Sequence, residues 1–268
     1  MNYTYPQGKH MALTFSYDDG QCFDRRLAEI FNKYGMKATF HLNSGRLGNT
    51  GHHGDFVTRG ELRTLYAGHE VACHGVEHKD PLLLSEGELL REYDEDRKVL
   101  EALTGQLVQG LSYAYGRYNE TVKRVAKTVG LKYSRTVNNT HDFMVPADFM
   151  EWNPTCHHAD PRLMEIGRNL LNSPEHRVMP LMYVWGHSYE FDRDENWGLI
   201  EDFCEMMQGR EDVWYCTNLE ICDYVNALRR LEYSADGKRV WNPSALTVWM
   251  KEGDTVIQCE PGKLTEIK

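Results

Sequence analysis

The chain has 268 residues, with 30 Lys and Arg against 40 Asp and Glu for a formal net charge of −10. That length can bury a large core and suits one α/β barrel domain as naturally as two smaller domains, and an acidic balance without a block of Lys or Arg argues against nucleic-acid partners or an anionic membrane surface. No apolar run approaches the ~18 residues of a spanning helix, Met1-Asn2-Tyr3-Thr4-Tyr5-Pro6 has no basic region leading into an apolar stretch, and seven scattered cysteines suit a reducing interior, so a cytoplasmic setting is expected.

The first strand is predicted over Met11-Ala12-Leu13-Thr14-Phe15, running into Asp18-Asp19-Gly20. Phe23, Leu27, Ile30, Phe31 and Tyr34 keep helical spacing up to Gly35, and Lys37 to Leu42 reads as a second strand. A polar, Gly-rich loop from Asn43 to Phe56 carries His52 and His53. Thr58 with Glu61 then forms a capping box for a short helix that closes at Gly68. Glu70-Val71-Ala72-Cys73 is the third strand and delivers His74. Ser85 with Glu88 caps a long helix reaching about Leu103, Leu107 to Tyr113 is strand-like, and Val122, Val125, Ala126 and Val129 mark the next helix. Strands over Tyr133–Val137, Leu181–Trp185 and Val213–Cys216 alternate with helices opened by Asp160-Pro161, spanning Glu195–Met207, and capped by Thr217 with Glu220. This βα alternation predicts parallel strands with helices outside, an irregular (β/α) barrel of about seven strands over residues 1–232. From about Tyr233 short alternating segments predict a small antiparallel β appendage over 233–268.

Asp18-Asp19 and His74-Gly75-Val76-Glu77-His78 are the parts of an open metal site. One carboxylate and two imidazoles bind a divalent ion and leave positions free, and the second carboxylate is then available as a base. Gly20 lets the strand end turn so that both acids reach one cavity, and Gly75 permits a tight loop between the histidines. The donor set suits Zn²⁺ best, with Co²⁺, Ni²⁺ or Mn²⁺ compatible. All the candidate polar residues, Tyr115 and His187 included, follow predicted strands, where barrels carry their chemistry. Cys156-His157-His158 and His52-His53 are expected to be loop residues near the barrel mouth rather than further metal sites.

Ser16-Tyr17-Asp18-Asp19-Gly20 and His74-Gly75-Val76-Glu77-His78 resemble the first two motifs of the polysaccharide deacetylase family, carbohydrate esterase family four. The resemblance covers about residues 10 to 230. It implies a metal-dependent hydrolase removing N- or O-linked acetyl groups from a carbohydrate. Asp18 would be the base, Asp19, His74 and His78 the metal ligands, His187 the acid, and the Tyr115 amide an oxyanion donor. Ser112-Tyr113-Ala114-Tyr115-Gly116 keeps only Tyr-Gly of the third motif, with Ser112 where an arginine usually holds the base. Asp148-Phe149-Met150-Glu151-Trp152 approximates the fourth motif, so Glu151 or Asp148 is expected to orient His187. Val184-Trp185-Gly186-His187 reduces the fifth, and Trp185 or Trp152 is expected to line the acyl pocket. With Trp197, these tryptophans suggest a short soluble saccharide stacked on an aromatic face. A metal-dependent amidase for a small amide, or a catalytically weak sugar-binding module, are the alternatives.

Overall fold

The computed structural model describes residues 2–267. Its main sheet has eight strands: β1 (Met11–Asp19), β2 (Ala38–Leu42), β3 (Glu70–Cys73), β4 (Gly110–Ser112), β5 (Tyr133–Arg135), β6 (Cys156–His157), β7 (Leu181–His187) and β8 (Val213–Tyr215). Seven lie in the order β5-β4-β3-β2-β1-β7-β6, with β8 beside the start of β1, and every pairing among them is parallel. β1 is buried along nearly its whole length because it has neighbours on both edges and helices outside. It explains why Met11 to Tyr17 alternates so little between apolar and polar residues.

The two ends of the curled sheet meet through an irregular segment. Trp152 N–H donates to Ser134 O at 3.0 Å, and Thr136 N–H to Trp152 O at 3.0 Å. A few residues on, Cys156 and His157 pair with Val184 and Trp185 of β7. The segment from Trp152 to His157 therefore links β5 to β7, and the irregular barrel expected from the sequence is the fold observed.

Eight helices surround the sheet: α1 (Asp24–Lys33), α2 (Leu62–Leu65), α3 (Glu86–Thr104), α4 (Glu120–Thr128), α5 (Leu163–Leu171), α6 (Ser188–Arg193), α7 (Trp197–Met207) and α8 (Asn218–Arg229). The capping boxes at Ser85–Glu88 and Thr217–Glu220 form as expected. Thr58 and Glu61 hydrogen-bond as expected, but α2 itself begins only at Leu62. Helix α6 was not legible; it opens directly on His187. No helix among the described residues is long and apolar enough to cross a membrane.

Two small antiparallel sheets form the appendage. One joins Val248–Glu252 and Thr255–Cys259 to Asn2–Thr4, so it takes in the chain's first residues as well as its last. The other contains Glu232–Tyr233, Arg239–Trp241 and Leu264–Glu266. Val240, Val248 and Met250 pack with Tyr5, Tyr183, Ile221 and Tyr224 in one apolar cluster, which seats the appendage on β7 and α8.

Candidate active site

Asp18 and Asp19 end β1, His74 follows β3, and His187 ends β7 directly opposite Asp18 in the strand register. Asp19 adopts φ 81° and His78 φ 55°, left-handed conformations that let the chain turn and return both side chains to the barrel mouth. Asp19 Oδ1 lies 3.7 Å from His74 Nε2 and 3.7 Å from His78 Nε2. That oxygen is buried and has no hydrogen-bond partner among the described residues. The Nδ1–H of His74 donates to Ser112 O at 2.9 Å, which leaves Nε2 deprotonated and facing the carboxylate. An orphaned carboxylate oxygen and two convergent imidazoles are a donor set that fits a divalent cation.

The loop carrying His74 is held from behind by Asp96 of α3. Its carboxylate accepts the backbone N–H groups of Ser44, His74 and Gly75 at 2.9, 3.1 and 3.0 Å. Burial pushes the Asp96 carboxyl up to about 6, against those hydrogen bonds. Burial also pushes the His74 imidazole well below its ordinary value. For His78 burial acts downward and outweighs the upward pull of Asp19, with the Arg46 charge adding to the depression.

Asp18 is almost fully buried and held on both oxygens. Ser112 Oγ–H donates to Oδ1 at 3.1 Å, and the Arg135 guanidinium pairs with Oδ2. Arg135 also donates to Ser16 Oγ at 3.1 Å and Thr136 O at 2.9 Å, with its guanidinium carbon 4.4 Å from the centroid of the Trp185 ring. Burial alone would raise the Asp18 pKa; Arg135, then His74, His41 and His187, outweigh it and hold the carboxyl well below the usual range. The arginine missing from position 112 is thus supplied from the neighbouring strand. Its signal in the sequence is a charged residue inside the strand Tyr133–Val137.

On the far side, Glu190 of α6 collects the histidines. Its Oε2 accepts the His187 backbone N–H at 3.0 Å and lies 3.3 Å from His187 Nδ1, 3.1 Å from His157 Nε2 and 3.5 Å from His158 Nε2. Burial acts downward on His187, but Glu190, followed by Asp18 and Asp19, raises its pKa above the ordinary value. His157, His187 and Glu190 are close enough to suggest a second cation site. The Nδ1 of His157 accepts the Ala159 N–H at 3.1 Å, however, so in the neutral ring the proton sits on Nε2, 3.1 Å from Glu190 Oε2, and that nitrogen has no lone pair to offer an ion. The cluster is three imidazoles gathered around one carboxylate. Glu190 was missed in the sequence, although an acid three residues after His187 at a helix start is a capping-box signal.

Several expected roles are displaced. Glu151 does not reach His187: it pairs with Lys123, as does Asp148 at 3.1 Å, because both acids face α4. Trp152 is wholly buried among Tyr133, Phe149 and Tyr183 and offers no face to a ligand. Trp185 is 9% exposed, with its ring against Arg135 and its Nε1–H donating to Asn139 at 2.7 Å. Trp197 packs in the core with Phe191. Gly186 is small because a Cβ there would lie 2.1 Å from His158 Nδ1; the histidine ring fills the space beside it. The aromatic residues at the mouth are tyrosines. Tyr115, 61% exposed at φ 59°, sets its ring 4.5 Å from His78. Tyr189 lies 5.3 Å from His187 and stacks on His53 at 4.2 Å.

Comparison with known proteins follows the same lines. Residues 4–134 match the family model described as polysaccharide deacetylase. The first half of the chain is thus similar to the polysaccharide deacetylases. "Putative polysaccharide deacetylase YxkH" of Bacillus subtilis (strain 168) is 26% identical over 133 residues, which cover 49% of this chain and 46% of that protein. The chain thus spans about half the length of that curated relative. A Mycobacterium smegmatis structure carrying the same "putative polysaccharide deacetylase" name is 18% identical, with TM-score 0.61 over 85% of this chain and 94% of that one. The Puue allantoinase structure is 15% identical, with TM-score 0.61 over 81% and 91%. The two structures share this chain's fold, with sequences far diverged.

Proposed function

We propose that this chain is a metal-dependent hydrolase that removes acetyl groups from a carbohydrate, with a short saccharide as substrate. The observation that carries the reading is the orphaned Asp19 oxygen between His74 and His78, flanked by a clamped Asp18 and an opposed His187. Asp19, His74 and His78 would hold the ion, Zn²⁺ by donor preference. When bound, such an ion polarises an acyl carbonyl and brings the pKa of water toward 7.

The chain's own residues supply the proton traffic. Asp18, kept ionised by Arg135, accepts a proton from the attacking water. His187, kept protonated by Glu190, returns a proton to the departing amine or alcohol. The Tyr115 backbone N–H, on a residue of left-handed conformation at the mouth, would donate to the developing oxyanion. A groove of about 770 Å³ opens beside His78 and Tyr115 and offers room for a sugar.

The test is acetate release from a panel of N- and O-acetylated mono- and oligosaccharides, with the divalent ion varied. Metal-dependent release supports the reading. No release from any of them, together with turnover of a small cyclic amide such as allantoin, replaces it with the amidase.

A further inference from the structure

The groove beside the metal-ligand triad is lined by Arg46, His78, Lys79, Tyr115, Arg117 and Leu83, with Glu77 and Asp80 also along it. These charges are not equally committed. Arg117 is paired with Asp80, and Lys79 Nζ lies 3.9 Å from Glu92. Arg46 is different. It is half-buried, its guanidinium donates to the Glu77 backbone carbonyl at 2.9 Å, and its carbon stands 5.8 Å from the centroid of the Phe56 ring. No carboxylate lies within 4.0 Å of it among the described residues. The Glu77 Oε1 sits beside Gly45, where a Cβ would meet it at 2.3 Å.

An arginine fixed in this way has a cost. It holds a positive charge on the groove that His78 also lines, beside a site whose donors are arranged for a divalent cation. Like charges raise each other's free energy, more so where burial limits screening. An anion in the groove would offset both, and a guanidinium with free donors binds carboxylate and phosphate groups bidentately.

Resting on the function proposed above, we infer that the substrate is an acidic acetylated saccharide, whose carboxylate or phosphate is bound by Arg46 in this groove. Lys79 and Arg117 at the rim already have Glu92 and Asp80 beside them, which leaves Arg46 as the cation free to meet an anion. In a chain of net charge −10, this one uncommitted guanidinium discriminates between neutral and acidic sugars.

The experiment compares kcat/KM for acetate release from N-acetylglucosamine, its 6-carboxylate and its 6-phosphate, in the metal-loaded wild type and in Arg46→Gln and Arg46→Lys. The charged substrates are expected to exceed the neutral one about tenfold or more, the advantage shrinking as salt is raised. Arg46→Gln should lower the charged-to-neutral ratio about tenfold, mainly through KM, and Arg46→Lys should recover part of it. The two charged probes tell carboxylate from phosphate. Acetate release with a neutral preference, or a ratio unmoved by Arg46→Gln, overturns the inference and leaves the hydrolase reading standing. Absence of acetate from all three, with the wider panel also inert, overturns the hydrolase reading itself.

Discussion

Ser112 and Arg135 face each other as register partners on β4 and β5, and each holds one oxygen of Asp18. The hydroxyl takes Oδ1 and the guanidinium takes Oδ2. Because Ser112 Oγ also lies 2.6 Å from His74 Nδ1, this pair ties the proposed base to a proposed metal ligand.

If the two positions work as a unit, their substitutions will be strongly non-additive. Arg135→Ser is expected to lower kcat by about 10²-fold or more, the scale of a general base that is mispositioned. Ser112→Arg alone crowds a second guanidinium against the first and should be equally harmful. The exchange Ser112→Arg with Arg135→Ser should recover at least tenfold over either single variant. Steady-state kinetics with metal content measured in parallel decides this; a double variant no better than the worse single would sink the idea.

Glu190→Gln removes the charge that holds His187 protonated. The folded-state pKa of His187 is raised above its ordinary value, so removing Glu190 lowers it. The alkaline limb of the kcat profile should move to lower pH, with kcat at neutral pH falling about tenfold or more. A loss of rate with an unmoved limb would leave Glu190 a purely structural residue.

Metal affinity should fall in His74→Ala and Asp19→Ala to little or nothing at stoichiometric Zn²⁺. Asp96→Ala touches no ligand atom but releases the loop carrying His74 and Gly75. Its affinity is expected to drop about 10–100-fold, as for residues that orient ligands. Competition with a chromogenic chelator measures all three without reference to turnover. Full affinity in His74→Ala would refute the site.

Glu70 is buried under the sheet, accepting from Thr39, Tyr133 and Leu219, and burial raises its pKa from 4.5 to about 7. The folded state therefore binds the proton that the unfolded state releases above about pH 4.5. This contribution makes the protein more stable at low pH, fading as pH rises toward 7 and constant beyond it. At ~1.4 kcal/mol per unit of pKa the span is about 3 kcal/mol. Urea unfolding of metal-free protein between pH 4.5 and 7 should show a shallower dependence for Glu70→Gln than for wild type.

The sequence made the fold legible because strand and helix boundaries are marked locally, by Gly20, Gly35, Gly68 and Gly130 and by the Ser85 and Thr217 caps. Asp18, Asp19, His74, His78 and His187 were legible for a related reason: each follows a strand, and parallel strands bring those ends together. What could not be read depends on side chains crossing between elements. Whether Arg135 or Ser112 reaches Asp18 is decided by register across β4 and β5. Glu151 was expected at His187 because nothing local shows that Lys123 of α4 draws it away. Trp152 was expected at the mouth, yet its segment has to join β5 to β7, and that buries the ring. Asp96 left a faint trace, an acid seven residues after Leu89 on the buried face of α3.

Three of the left-handed, non-glycine residues gather at one place: Asp19, His78 and Tyr115. Each conformation costs on the order of 1 kcal/mol relative to glycine at the same position. The fold would be more resistant to heat without the features that equip it for chemistry. Tyr115 gives the sharpest case, since its exposed side chain contributes little packing: Tyr115→Gly is expected to raise the melting temperature by a degree or more while weakening substrate binding. A library of this chain screened for thermal tolerance alone should accumulate glycine at these three positions and emerge sturdier and inert. Selection on turnover should keep them occupied, and the divergence between the two screens would expose how much of this architecture is maintained against its own stability.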